Sequence, residues 1–177
     1  MFSIYLSPPH LTGFEKKFID EALQSNWVSP YGSNIDGFEK ELEEYLDIPY
    51  SALITSATAG IHLALAILGV ERNDIVLVPT FTFAACVNPI LYLGAEPVFL
   101  DSELDTWNID PVILRTAIED LIKQQRKPKV LILVHSYGVP AKITEILSIC
   151  QEFDIKVVED AADALGASYN AKKLGTF

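Results

Sequence analysis

Basic charge is in short supply in this chain of 177 residues: 13 Lys and Arg stand against 24 Asp and Glu, for a net charge of −11. Such a surface repels a phosphate backbone and an anionic bilayer alike, which argues against nucleic-acid and membrane-surface partners. Cysteine is scarcer still. Cys86 and Cys150 each sit in an apolar stretch where a free thiol behaves as a small hydrophobe, and the pair suits a reduced, cytoplasmic compartment. The start, Met1-Phe2-Ser3-Ile4-Tyr5, lacks the basic residues and apolar run of a signal peptide, and no apolar segment is long enough to span a bilayer. Neither the GxGxxG fingerprint nor the P-loop pattern occurs, so phosphate binding by those glycine-rich loops is excluded.

What the chain does have is core material. With 50% hydrophobic and 21% charged residues it has enough apolar surface for one folded domain, and disorder is not expected. After a short extended start, apolar residues at helical spacing predict helices over 15–23 and 35–46, separated by a loop at 26–32. The pattern then alternates. Strands are expected at 52–55, 75–78, 97–100, 130–134 and 156–159. Between them come helices at 57–68, 84–93 (interrupted by Pro89), 111–124 (capped by Asp110 ahead of Pro111) and 141–153. Residues 167–169 and 172–174 flank Asn170-Ala171 as a small hairpin. Five strands separated by helices imply an α/β fold, a mostly parallel, doubly wound sheet with helices on both faces. No linker or repeat divides the chain, so 1–177 reads as one partial domain with 1–48 as its helical leading segment.

In open parallel sheets ligands bind beyond the carboxyl ends of the strands. Three segments stand there. Thr55-Ser56-Ala57-Thr58-Ala59-Gly60 joins a strand to a helix with small and hydroxyl side chains, and the free N–H groups of the helix suit a phosphate; the bland reading is a simple cap. Pro79-Thr80-Phe81-Thr82-Phe83 puts two aromatics on a loop where one can lie on a planar ring, or else plug the core. In Glu159-Asp160-Ala161-Ala162-Asp163 a carboxylate arrives at the end of an apolar strand, where it needs a partner. A protonated pyridine nitrogen is one such partner; a helix cap and a metal are the alternatives, the metal disfavoured by the lack of a nearby histidine. Phosphate cup, stacking aromatic and ring-nitrogen acid are three of the four parts of a pyridoxal-phosphate (PLP) site. The fourth is a lysine. The ten lysines fall on polar helix faces or in turns, and Lys172 and Lys173, nearest a strand end, read as solvated hairpin surface.

In the order and spacing of these stretches, the sequence resembles the DegT/StrS family of PLP-dependent sugar aminotransferases. They include Asn26-Trp27-Val28-Ser29 with Gly32, Gly94-Ala95-Glu96-Pro97-Val98 with Asp101, and His135-Ser136-Tyr137-Gly138. The resemblance runs from Leu6 to Phe177 and implies the aspartate aminotransferase fold (fold type I). It implies that Ala57 and Thr58 bind the PLP phosphate, Phe83 stacks on the ring, and Asp160 pairs with the ring nitrogen. Where many members carry Gln or His against the phenolic oxygen, this chain has Asp163. The resemblance further implies a homodimer, a keto nucleotide-sugar substrate, glutamate as amino donor, and Trp27, His135 and Tyr137 near the substrate; ordinary loop packing is the alternative for those three.

Family members continue into a Schiff-base lysine that has no counterpart here, so no catalytic lysine is expected in the chain, and alone it should be inactive. The family fold also pairs the 52–55 strand with a strand outside this sequence. Two strand positions beside 156–159 would then stand empty, leaving apolar edges open to a partner. A non-catalytic or complementing fragment, and a PLP-dependent sugar dehydratase, are the alternative readings.

Overall fold

The computed structural model describes Ile4 and residues 8–177, so most of the extended start lies outside the described residues. The chain divides into two compact units, 1–53 and 54–177.

The first unit contains α1 (Glu15–Gln24) and α2 (Ser33–Leu46). The Glu15 carboxylate accepts from Thr12 N and Oγ1 and from Gly13 N, satisfying donors at the entry to α1. Asp47, in the left-handed region, ends α2. Two glutamates of α2 then hold the chain that follows: Glu43 accepts from Ser51 N and Glu39 from Leu53 N.

The second unit is the α/β body. Four five-residue strands, β1 (Ile75–Pro79), β2 (Glu96–Leu100), β3 (Val130–Val134) and β4 (Lys156–Asp160), form an all-parallel sheet in the order β2-β1-β3-β4. Strand alternation sorts the core into two layers. Ile75, Leu77, Leu131 and Leu133 face α5 (Pro111–Lys123) and α6 (Ile143–Glu152), meeting Leu114, Ile118, Ile143 and Ile146. Val76, Val78, Val130 and Ile132 face α3 (Ala57–Ile67) and α4 (Asn88–Tyr92), meeting Ile61, Leu65 and Ile90. Asp110 caps α5 by accepting from Val112 N at 2.7 Å, with Pro111 in the first turn. Beyond β4, β5 (Ser168–Tyr169) and β6 (Lys172–Lys173) form the expected hairpin, with both turn residues, Asn170 (φ 48°) and Ala171 (φ 64°), left-handed.

Two elements differ from expectation. Residues 52–55 form no strand. A strand exists by its ladder, and these residues find no neighbour among the described ones; Leu53 and Ile54 remain 39% and 46% exposed. The sheet therefore has four strands, and β4 keeps an open edge. The second difference is at Pro89. Instead of interrupting one helix it sits in the first turn of α4, where its missing N–H costs nothing, and a separate 3₁₀ turn, Ala84–Cys86, precedes it. No helix among the described residues is long and apolar enough to cross a membrane.

Candidate functional site

The loops at the carboxyl ends of β1, β3 and β4 and the start of α3 carry the residues of interest. At α3 the cap is real: Ser56 is extended, and its hydroxyl accepts from Ala59 N at 3.2 Å, while its carbonyl takes Gly60 N. That leaves the N–H groups of Ala57 and Thr58 as outward donors at the positive end of an 11-residue helix, with the half-buried Thr58 hydroxyl beside them. α3 packs against α4, β4 and the Ala84–Cys86 turn.

Asp160 is the last residue of β4 and is half-buried. Its Oδ1 accepts from Ala162 N at 3.0 Å and its Oδ2 from the Cys86 thiol at 2.9 Å. The Thr82 hydroxyl lies 2.9 Å from the same sulfur. Burial first, and then the neighbouring carboxylate, push the Cys86 thiol up to about 12, so it remains S–H at neutral pH. The sequence marks Cys86 only as a small hydrophobe; its donor role could be suspected from its place on the turn that follows β1, four residues after Thr82.

Phe83 is 81% exposed, its ring free for a planar partner and not a core plug. Phe81 instead turns into an aromatic cluster, edge-on to Trp107 at 5.8 Å and tilted against Tyr137 at 6.1 Å. A cavity of about 410 Å³ opens beside it, lined by Thr80, Phe81, Asp101, Ser102 and Trp107 among others.

His135 is where the structure revises the sequence reading. Its ring is fully buried, with Nδ1 accepting from Ala141 N at 3.2 Å and Nε2 2.9 Å from Glu159 Oε1. An accepting Nδ1 places the proton on Nε2, which donates to the carboxylate. Both nitrogens are engaged, so the ring has none left for a ligand and serves instead to tie β3 to β4. Burial works against the Glu159 charge, yet His135 and the backbone N–H groups of Gly175 and Phe177 outweigh it and hold the carboxyl below its ordinary range. Tyr137, by contrast, is 62% exposed on a left-handed backbone (φ 53°, ψ 29°). Gly138 follows at φ 79°, where a side chain would strain the backbone and its Cβ would crowd the Asp163 carbonyl at 3.0 Å. The Asp163 side chain is exposed.

Trp27 belongs to the first unit. Its indole N–H donates to the Tyr31 carbonyl, its ring lies over Gly32, and it lines a cavity of about 390 Å³ within that unit. Lys172 lies over the Phe177 ring at 4.3 Å. Among the described residues no cluster of His, Cys, Asp and Glu is suited to a metal.

Residues 9–177 match the DegT/DnrJ/EryC1/StrS aminotransferase family. EpsN of Bacillus subtilis (strain 168), named as a candidate pyridoxal phosphate-dependent aminotransferase, is 47% identical over 174 residues, 98% of this chain and 45% of EpsN. The GDP-perosamine synthase of Escherichia coli O157:H7 is 37% identical over 169 residues, 96% of this chain and 45% of the synthase. Among solved structures, the E. coli GDP-4-keto-6-deoxy-D-mannose-3-dehydratase with bound hydrated PLP superposes with a TM-score of 0.88 at 25% identity, covering 100% of this chain and 45% of the dehydratase. The chain thus spans less than half the length of each of these proteins.

Proposed function

The chain belongs to the DegT/DnrJ/EryC1/StrS aminotransferase family, and from that premise we propose that it forms the cofactor-holding part of a PLP-dependent aminotransferase acting on a keto nucleotide-sugar, with glutamate as amino donor. The observation that carries this reading is Asp160: a half-buried carboxylate at a strand end whose bonds come from neutral donors, a thiol and an amide, leaving its charge for a cationic partner.

The donor set suits the cofactor part by part. The outward N–H groups of Ala57 and Thr58 and the Thr58 hydroxyl take the phosphate, whose charge the helix end favours. Exposed Phe83 covers one face of the ring. Asp160 holds a proton on the ring nitrogen, and Asp163, three residues on, supplies a second carboxylate toward the phenolic oxygen. When bound, the cofactor supplies the electron sink for amino transfer. Exposed Tyr137 serves the substrate, in a homodimer whose setting is the cytoplasm; two free, buried thiols suit a reducing compartment.

The test uses the intact protein supplied with PLP, glutamate and a 4-keto nucleotide-sugar. Formation of 2-oxoglutarate together with an amino sugar of matching mass is the expected result. Asp160→Asn should lower turnover by about 100-fold or more, equivalent to about 3 kcal/mol. A dehydrated sugar in place of the amino sugar would establish the dehydratase reading, which rests on the structural likeness to the E. coli enzyme. Absence of any cofactor absorbance would remove both.

A further inference from the structure

We propose that Cys86 is a positioning residue for Asp160: its thiol, held in turn by Thr82, donates to one carboxylate oxygen and thereby fixes how the carboxylate presents to the ring nitrogen. The inference rests on the reading of Asp160 given above.

The direction of each bond follows from proton count. A thiol has one proton, and Cys86 gives it to Asp160 Oδ2 at 2.9 Å. The contact of 2.9 Å between the sulfur and Thr82 Oγ1 is then made by the hydroxyl donating to sulfur. Thr82 O–H, Cys86 S–H and Asp160 form a relay, polarised one way. It starts in the loop after β1 and ends on β4, strands that are not neighbours, so it crosses the end of the intervening β3.

The relay supplies what a carboxylate at a strand end lacks. The terminal torsion of an aspartate is broad, and one bond leaves the group free to swing. Here Ala162 N holds Oδ1 from the following turn, and Cys86 holds Oδ2 from another element. Two anchors on opposite oxygens fix the plane while leaving lone pairs free for a cation. Cys86 is itself only 1% exposed, packed among Val78, Ile90 and Ile132, so its sulfur does not wander. Cys150 is equally buried but lies on α6, in the apolar layer on the other face of the sheet, where burial is the cause of its raised thiol pKa.

The first readout needs no cofactor: the S–H stretching band of the intact protein in a Cys150→Ala background, where Cys86 is this chain's remaining thiol. Asp160→Asn and Thr82→Val should each move the Cys86 band to higher frequency; a band indifferent to Asp160→Asn overturns the proposal. The second readout compares Cys86→Ser, which keeps a donor, with Cys86→Ala, which keeps an apolar filler. Cys86→Ala should weaken PLP binding about fivefold and shift the pH midpoint of the bound cofactor's absorbance downward, and Cys86→Ser should restore both. If Ala behaves as well as or better than Ser, the residue only packs, and the proposal fails. If Asp160→Asn shifts the S–H band but leaves the cofactor spectrum untouched, it is the reading of Asp160 as ring-nitrogen partner that falls, while the thiol–carboxylate pair stands.

Discussion

β3 and β4 are equal in length and lie in continuous register, Val130 against Lys156 through Val134 against Asp160, yet they do different work. β3 is Val-Leu-Ile-Leu-Val, covered on both faces and buried over its first four residues. β4 is Lys-Val-Val-Glu-Asp, half-buried after its first residue, with an open edge and two carboxylates at its end. Two charges in the middle of β3 would have to give up water without donors to replace it. At the end of β4 they meet donors from four other places: the thiol after β1, His135 after β3, the Ala162 turn and the Gly175 to Phe177 segment. The chemistry sits on the strand that is incompletely buried, and rigidity is lent to it by the strand that is.

Substitution at one paired position should expose the contrast most strongly. Leu131 and Val157 are cross-strand partners in the same core layer, but Leu131 is fully buried and Val157 only partly. Leu131→Ala should cost about 4 kcal/mol in urea denaturation, transfer and cavity terms together, and Val157→Ala about 1 kcal/mol. Equal losses would mean that β4 is as much a core strand as β3. Next in size is the tie between them. Removing the ring in His135→Ala leaves a buried Glu159 carboxylate short of a donor and should cost about 3 kcal/mol. A loss below about 1 kcal/mol would show that Gly175 and Phe177 suffice to hold the charge.

The same carboxylate ties stability to pH. Burial pushes the Glu159 pKa upward, but the His135 and backbone donors win and set it below its ordinary value of 4.5. A depressed folded-state pKa contributes stability that is fully present above about 4.5 and is lost as pH falls through the folded value. Other carboxylates, Glu103 among them, titrate in the same acid range. The contribution is therefore isolated by difference: Glu159→Gln should lie below the parent chain in stability at pH 6, with the gap closing as the pH drops below 4.5. A gap that stays constant would dissociate Glu159 from the acid limb.

Most of this architecture is legible in the sequence where a signal is local. Asp110-Pro111 announces α5, and the apolar runs of β1 and β3 announce buried strands, because cap chemistry and burial are written into the residues themselves. What depends on a neighbour is not. Residues 52–55 have strand composition, but a ladder needs a second strand, and none is supplied among the described residues. The resemblance puts His135 near the substrate, with loop packing as the alternative; that Glu159 and Ala141 N consume both its nitrogens is a fact of tertiary contact. Cys86 shows the converse, its apolar surroundings concealing a bond to a residue 74 positions away.

The smallest effect lies in the hairpin that carries the chain back to β4. The β5–β6 turn requires positive φ at both central residues; Asn170 tolerates this, but Ala171, at φ 64°, carries a Cβ into the left-handed region at a cost of about 1–2 kcal/mol. Glycine at that position removes the clash and returns about 0.4–1 kcal/mol to the unfolded chain as added freedom. The net gain for Ala171→Gly is about 0.5 kcal/mol, a rise in Tm of about 1–2 °C for a chain of this size. Because Gly175 N and Phe177 N reach Glu159 from the residues just after this hairpin, a firmer turn should also slow amide exchange at Gly175. Slower exchange with an unchanged Tm would place the hairpin's role in bracing the end of β4. A higher Tm with unchanged exchange would place it in the fold as a whole and detach the Glu159 anchor from the turn.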